Sequence, residues 1–175
     1  YIGGLWIGGF QKNSPTGTPI GPFVSTGTID VTTLSRGAGF EFTNDSAAII
    51  TQRSSLLTSP FYNPSAVSHQ DFIMNYDDTR TTLPDGTVIP EHNPLGVAVR
   101  HECYSWNFPF ANYFVIMNYT IKNVSNKYLD SVYVGLYVDP VVRNTKITNT
   151  INASFFLHTG MGYDDSMKYA YAFDV

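Results

Sequence analysis

Three stretches in the second half of the chain decide its fold: VAVRHECYSW (Val97–Trp106), FVIMNYTIKNV (Phe114–Val124) and SVYVGLYV (Ser131–Val138). In each, residue character alternates with a period of two, the period at which side chains leave a strand on opposite faces. The first sets Val97, Val99, His101 and Cys103 on one face and Ala98, Arg100, Glu102, Tyr104 and Trp106 on the other. The second alternates Val115, Met117, Tyr119 and Ile121 with Phe114, Ile116, Asn118, Thr120 and Lys122, and the third groups Val132, Val134, Leu136 and Val138. NVSNKYLD (Asn123–Asp130) between the last two reads as an exposed connection, because Asn, Ser and Lys favour solvated turns. The three stretches together predict an antiparallel meander.

Working outward, further strands are expected at Gly4–Phe10, Thr26–Leu34, Gly39–Phe42 and Asp71–Tyr76, and Lys168–Val175 (KYAYAFDV) alternates in the same way. Long loops are expected at Gln11–Pro22, Ser59–Gln70 and Thr79–Pro94, the last carrying a Pro84–Gly86 turn. Ten prolines and many β-branched residues disfavour helices. At most one short helix is expected, Ser46–Leu57 with Ser46 as its cap. Trp6, flanked by Gly3-Gly4 and Gly8-Gly9, is expected to pack inward. The reading is an all-β chain, 1–175 forming a single antiparallel β-sandwich domain, with a jelly-roll-like arrangement among its alternatives.

Composition narrows the role. Of 175 residues only 14% are charged, 10 Lys+Arg against 14 Asp+Glu, where an ordinary soluble domain has about a quarter. Ser, Thr and Asn number 45 and supply the polar surface instead, while 43% hydrophobic content is ample for a packed core. A net charge of -4 without a basic cluster offers nothing to nucleic acid or an anionic membrane. No apolar run reaches the roughly 18 residues of a spanning helix, so membrane insertion by a helix is not expected. A lone Cys103 excludes an intrachain disulfide and an all-cysteine zinc site. Neutral residues at outward strand positions leave edges without the lysines that discourage strand pairing between molecules.

The segments GLWIGG (Gly4–Gly9), VSTG (Val24–Gly27), NYDDTR (Asn75–Arg80) and the run Pro94–Asp139 occur in that order. Together they resemble the N-terminal β-rich region of large uncharacterised secreted proteins of Bacteroidota-type bacteria, which often end in a type IX secretion sorting domain. The resemblance implies export, a leader before Tyr1 and further β-rich modules after Val175; it transfers no catalytic residue. His101 and Cys103 depart from the family's pattern, which more often has Gln and Thr or Ala there. The start at Tyr1 and the strand-like end agree with a processed piece of a longer secreted or cell-surface protein.

Candidate sites follow from residue type. His101 and Cys103, two apart in a strand, share a face and are the minimum for thiolate activation, although core packing accounts for both. Zinc through His101, Cys103, His92 and His158 lacks ligand spacing. Calcium needs six to eight hard oxygens, and Asp77, Asp78, Asp139, Asp164 and Asp165 near strand ends are the carboxylates from which a site would be built. Tyr104 and Trp106 on one face of their strand would offer sugar rings a stacking platform. Glu41, Glu91 and Glu102 are the only glutamates and none sits in a catalytic motif, so an enzyme is not expected. Two roles remain: a non-catalytic structural, adhesive or interaction domain that self-assembles into an oligomer or filament through open edge strands, or pairs with other domains of its own chain. The alternative is a polysaccharide-binding module, calcium-supported, of a larger secreted enzyme.

Overall fold

The computed structural model describes residues 2–28, 39–42, 50–142 and 159–174. The described residues form nine strands: β1 (Ile2–Lys12), β2 (Ile20–Thr26), β3 (Thr51–Arg53), β4 (Gln70–Asp77), β5 (Val97–Ser105), β6 (Ile116–Asn123), β7 (Tyr128–Asp139), β8 (Thr159–Asp164) and β9 (Tyr169–Asp174). One antiparallel sheet has the order β2-β1-β7, a second the order β3-β4-β5-β6, and β8-β9 is a separate hairpin. The chain is thus the all-β antiparallel sandwich its alternation predicts.

Period-two alternation places the core. Leu5 and Ile7 of β1 face Val97 and Val99 of β5 across the sandwich, with Leu95 between them; all five are buried. Phe23, Tyr76, Tyr119, Ile121 and Leu129 close around this cluster. Burying an aliphatic side chain of this size is worth about 1.5–3 kcal/mol, so these few residues supply much of what holds the sheets together.

The meander breaks after its second strand. β5 and β6 pair as expected, Val97↔Asn123 through Tyr104↔Ile116, but β7 crosses to the other sheet and pairs with β1. The connection explains the crossing. The amides of Val124 and Ser125 both donate to Gly96 O, at 2.8 and 3.2 Å, and Asn123 Nδ2 donates to Lys127 O at 2.8 Å. Gly96 permits this with φ +76°; a Cβ there would stand 2.4 Å from Ser125 Cβ. The chain therefore leaves β6 over the end of the sandwich instead of folding back beside it.

Other expectations shift. Thr26 ends β2 rather than beginning a strand, and residues 29–34 lie outside the described residues. The stretch 39–42 is turn, holding Glu41 buried where Thr26 Oγ1 donates to its carboxylate. No helix occupies Ser46–Leu57 in its described part: Thr51–Arg53 is β3, drawn onto β4 by pairing of Arg53 with Asp71, while the proposed cap Ser46 lies outside the described residues. Trp6 does not join the core. It points to the opposite face from Leu5 and Ile7, stacks on Tyr137 (centroids 5.4 Å apart, planes 8° apart) and donates to Thr28 O. Of the glycines beside Trp6, Gly4 serves close packing: a Cβ there would strike Thr28 and Gly27 at 2.8–2.9 Å.

Pairing of β1 with β7 slips by one residue between Gly8 and Phe10, so that β7 carries an extra residue near Ser131, whose φ is +49°. Upstream of the slip Val134 faces Ile7; downstream Leu129 faces Gln11 and still packs on the core.

Candidate functional site

Two ends of the sandwich differ. At the β4–β5 corner polar groups from both sheets converge on one buried carboxylate. Asp78 is fully buried and accepts four hydrogen bonds: Ser25 Oγ (2.6 Å) and Leu95 N (2.8 Å) on one oxygen, Gly96 N (3.0 Å) and Val97 N (2.8 Å) on the other. His92 Nε2 lies 2.8 Å from Asp78 O, and Gln11 Nε2 donates to Pro94 O at 2.9 Å. This carboxylate ties β2 of one sheet to the loop entering β5 of the other. Asp71, also fully buried, similarly anchors residues 67–68 through Val67 N, Ser68 N and Ser68 Oγ, with Arg53 Nη2 at 3.4 Å.

The other side of the sandwich is open. A cleft of about 330 Å³ lies between the sheets, with Gly3, Leu5, Leu136 and Val138 on one wall and Tyr76, His101, Met117 and Tyr119 on the other. Its origin is local: the inward position of β1 next after Ile7 and Leu5 is Gly3, and nothing replaces the side chain missing there. A Cβ on Gly3 would meet only Tyr137 O, at an ordinary 3.6 Å.

The cleft's polar groups belong to one cluster. Cys103 Sγ is 3.2 Å from His101 Nε2, and His101 Nδ1 is 3.5 Å from Tyr76 Oη. Tyr119 stacks on the imidazole at 4.2 Å and directs its hydroxyl to Met117 Sδ at 3.5 Å. Burial lowers the His101 pKa and raises that of the Cys103 thiol, so both neutral forms are favoured. Burial, followed by its neighbours Tyr119 and Cys103, pushes the Tyr76 hydroxyl far up. The shared face of His101 and Cys103 is legible from their spacing; Tyr76, Met117 and Tyr119 join them through strand register, which local sequence does not encode.

The residues singled out for calcium are not brought together. Asp77 caps a turn, accepting from Thr79 N at 2.9 Å, whereas Asp78 faces inward with both oxygens occupied. Asp139 ends β7 opposite Ile2. Asp164 closes the β8–β9 turn by accepting from Ser166 N (2.9 Å), Ser166 Oγ (2.6 Å) and Met167 N (2.9 Å), and Asp165 pairs with Lys168. Among the described residues no group of three or more His, Cys, Asp or Glu is placed to hold a metal ion. His92 is occupied at the Asp78 corner and His158 lies outside the described residues. Tyr104 sits half-buried on the outward face of β5 beside Glu102, with burial and then the Glu102 charge raising its pKa; Trp106 follows one residue beyond the strand's end, also half-buried.

Apolar residues are also exposed on β7 beside the cleft and on the separate β8–β9 hairpin. On β7 the residues Val132, Val134, Leu136 and Val138 remain 43–55% exposed, and β9 presents Tyr169, Tyr171 and Phe173 in a row with centroids 5.8 and 6.0 Å apart. Among the described residues, nothing pairs with the outer edge of β7. Comparison of the chain with protein-family models, with curated proteins and with solved structures gives no match.

Proposed function

We propose that the chain is a non-catalytic structural or interaction domain of an exported or cell-surface protein, and that it associates with copies of itself through the edge of β7. The carrying observation is that twelve-residue strand. Between Asp130 and Asp139 it contains no charge, its inward-facing apolar residues are half-exposed, and its outer edge has no partner among the described residues. Natural edge strands are normally short, bulged, charged or covered. β7 has one bulge at Ser131 and then seven residues of uncharged edge. Adding a strand from another molecule satisfies its free backbone groups and covers the apolar stripe in one step. The low overall charge and the resemblance to secreted bacterial proteins support an extracellular setting.

Light scattering on the full chain across a range of concentrations tests the reading. The wild type is expected to exceed monomer mass as concentration rises, and Val134→Lys, an inward-pointing charge on the edge, to return it to monomer with little change in melting temperature. Tyr133→Lys does the same from the opposite face. A wild type that stays monomeric throughout overturns the proposal.

A polysaccharide-binding role is the second reading, favoured by the row Tyr169, Tyr171 and Phe173, whose exposed rings offer a surface for stacking on sugars. Retention on insoluble polysaccharide that is lost in Tyr171→Ala, in a chain that remains monomeric, selects it over self-association.

A further inference from the structure

We propose that His101, Cys103 and Met117 form a binding site for one soft monovalent metal ion, Cu(I). All three project from the inward face of β5–β6. His101 and Cys103 are successive inward residues of β5, and Met117 is the direct cross-strand partner of Cys103. Opposed residues hold their Cβ atoms about 5 Å apart, well within reach of a thioether. Tyr119, stacked on His101 and touching Met117 Sδ, holds that sulfur on the imidazole's side of the sheet.

The donor spacing suits a shared ion. Metal bonds of about 2.3 Å to sulfur and about 2.0 Å to nitrogen would span the observed 3.2 Å between Cys103 Sγ and His101 Nε2 at an angle of about 95°. A small side-chain rotation opens this toward a trigonal arrangement with Met117 as third ligand. Tyr76 Oη stands by the other ring nitrogen, the outer partner that fixes a ligating imidazole with Nε2 as donor. One thiolate, one thioether and one imidazole make a soft set that prefers Cu(I) to calcium or magnesium. Met117 is 53% exposed and lines the cleft with His101, so an ion has an open path in. On binding, the metal takes the place of the thiol proton, which passes to solvent, and no electron is transferred.

The test is anaerobic titration of the full chain with Cu(I), and separately Ag(I), against a chromophoric chelator. One ion per chain is expected, with affinity reduced at least tenfold in Met117→Leu and in His101→Gln and abolished in Cys103→Ser. Excess Ca(II) is expected not to displace the ion. Met117→Leu conserves volume at a half-exposed site, so it reports on ligation in a folded chain, which a melting curve verifies. X-ray absorption of the loaded protein is expected to give one nitrogen and two sulfur neighbours. Three results overturn the proposal: failure to hold the ion against the chelator, one ion shared by two chains, or equal affinity in the wild type, Met117→Leu and His101→Gln, which marks an isolated thiol.

Discussion

The β4–β5 corner and the β6–β7 side are built from the same low-charge sequence yet solve opposite problems. At the corner, one carboxylate is taken wholly out of water and satisfied by three amides and a hydroxyl, so that it fixes the backbone of two sheets. On the open side carboxylates are confined to the ends of β7, and the strand between them carries aliphatic side chains and Tyr133 that remain exposed, while Trp6 covers Tyr137. Three carboxylates, Glu41, Asp71 and Asp78, thus act as internal fasteners. Surface charge lies outside the middle of β7, in the Lys12–Asp130 pair at its start and the Arg100–Glu102 pair on the outward face of β5, each at 2.8 Å.

The contrast can be broken at its strongest point first. Asp78→Ala leaves Ser25 Oγ and the amides of Leu95, Gly96 and Val97 buried without an acceptor. Orphaned buried donors cost about 1–3 kcal/mol each before relaxation, so a loss of about 4 kcal/mol or more is expected in denaturant unfolding, enough to leave the chain largely unfolded. A cost under about 1 kcal/mol would mean that water reaches the corner and that the two regions are less different than they look.

A second change sharpens the comparison from the open side. Gly3→Val adds a β-branched side chain at an inward strand position with room for it. Removing a strand glycine and partly filling the cleft is expected to raise stability by about 0.5–1 kcal/mol, read as a higher melting temperature. A fall instead would show the cleft wall to be packed as tightly as the corner.

The smallest effect concerns the β8–β9 turn. The Ser166 hydroxyl, and then the Met167 amide, hold the Asp164 carboxyl below the usual carboxylate range. A folded pKa below the unfolded one means that the unfolded chain binds the proton more readily. The turn's contribution is therefore complete above the ordinary aspartate value and fades as pH falls through the lower folded one. NMR titration of Asp164 is expected to show a midpoint below that of an unstructured aspartate, and Ser166→Ala to move it back upward.

The alternation of Val97–Trp106, Phe114–Val124 and Ser131–Val138 suffices to predict three strands, because period two is a local property. Which sheet receives β7 is not local. A short Asn- and Ser-rich connection serves a hairpin and a crossover equally, and the deciding contacts, Val124 and Ser125 on Gly96, lie about thirty residues apart in sequence. The pair Asp77-Asp78 shows the same limit. As a dipeptide it reads as a solvated turn or a cation ligand, yet a strand's alternation sends one carboxylate out and the other in, and only the fold supplies the amides that make the inward one stable. The signal for it was present in PLGV at Pro94–Val97, a stretch whose Gly96 needs positive φ and whose amides need an acceptor.

Ser131 sets the phase of β7. Its extra residue acts on β7 as a phase shifter: side chains on one side of it point inward at even positions, those on the other at odd ones, so Leu129 and Val134 face the same interior. Straightening the strand at Ser131 without shortening it would leave composition and strand propensity untouched while putting the two halves of β7 out of step. Either Leu129 would be turned to solvent or the stripe from Val134 to Val138 would be. In this strand the bulge and the residue count are bound together, so neither evolution nor an engineer can change one without the other.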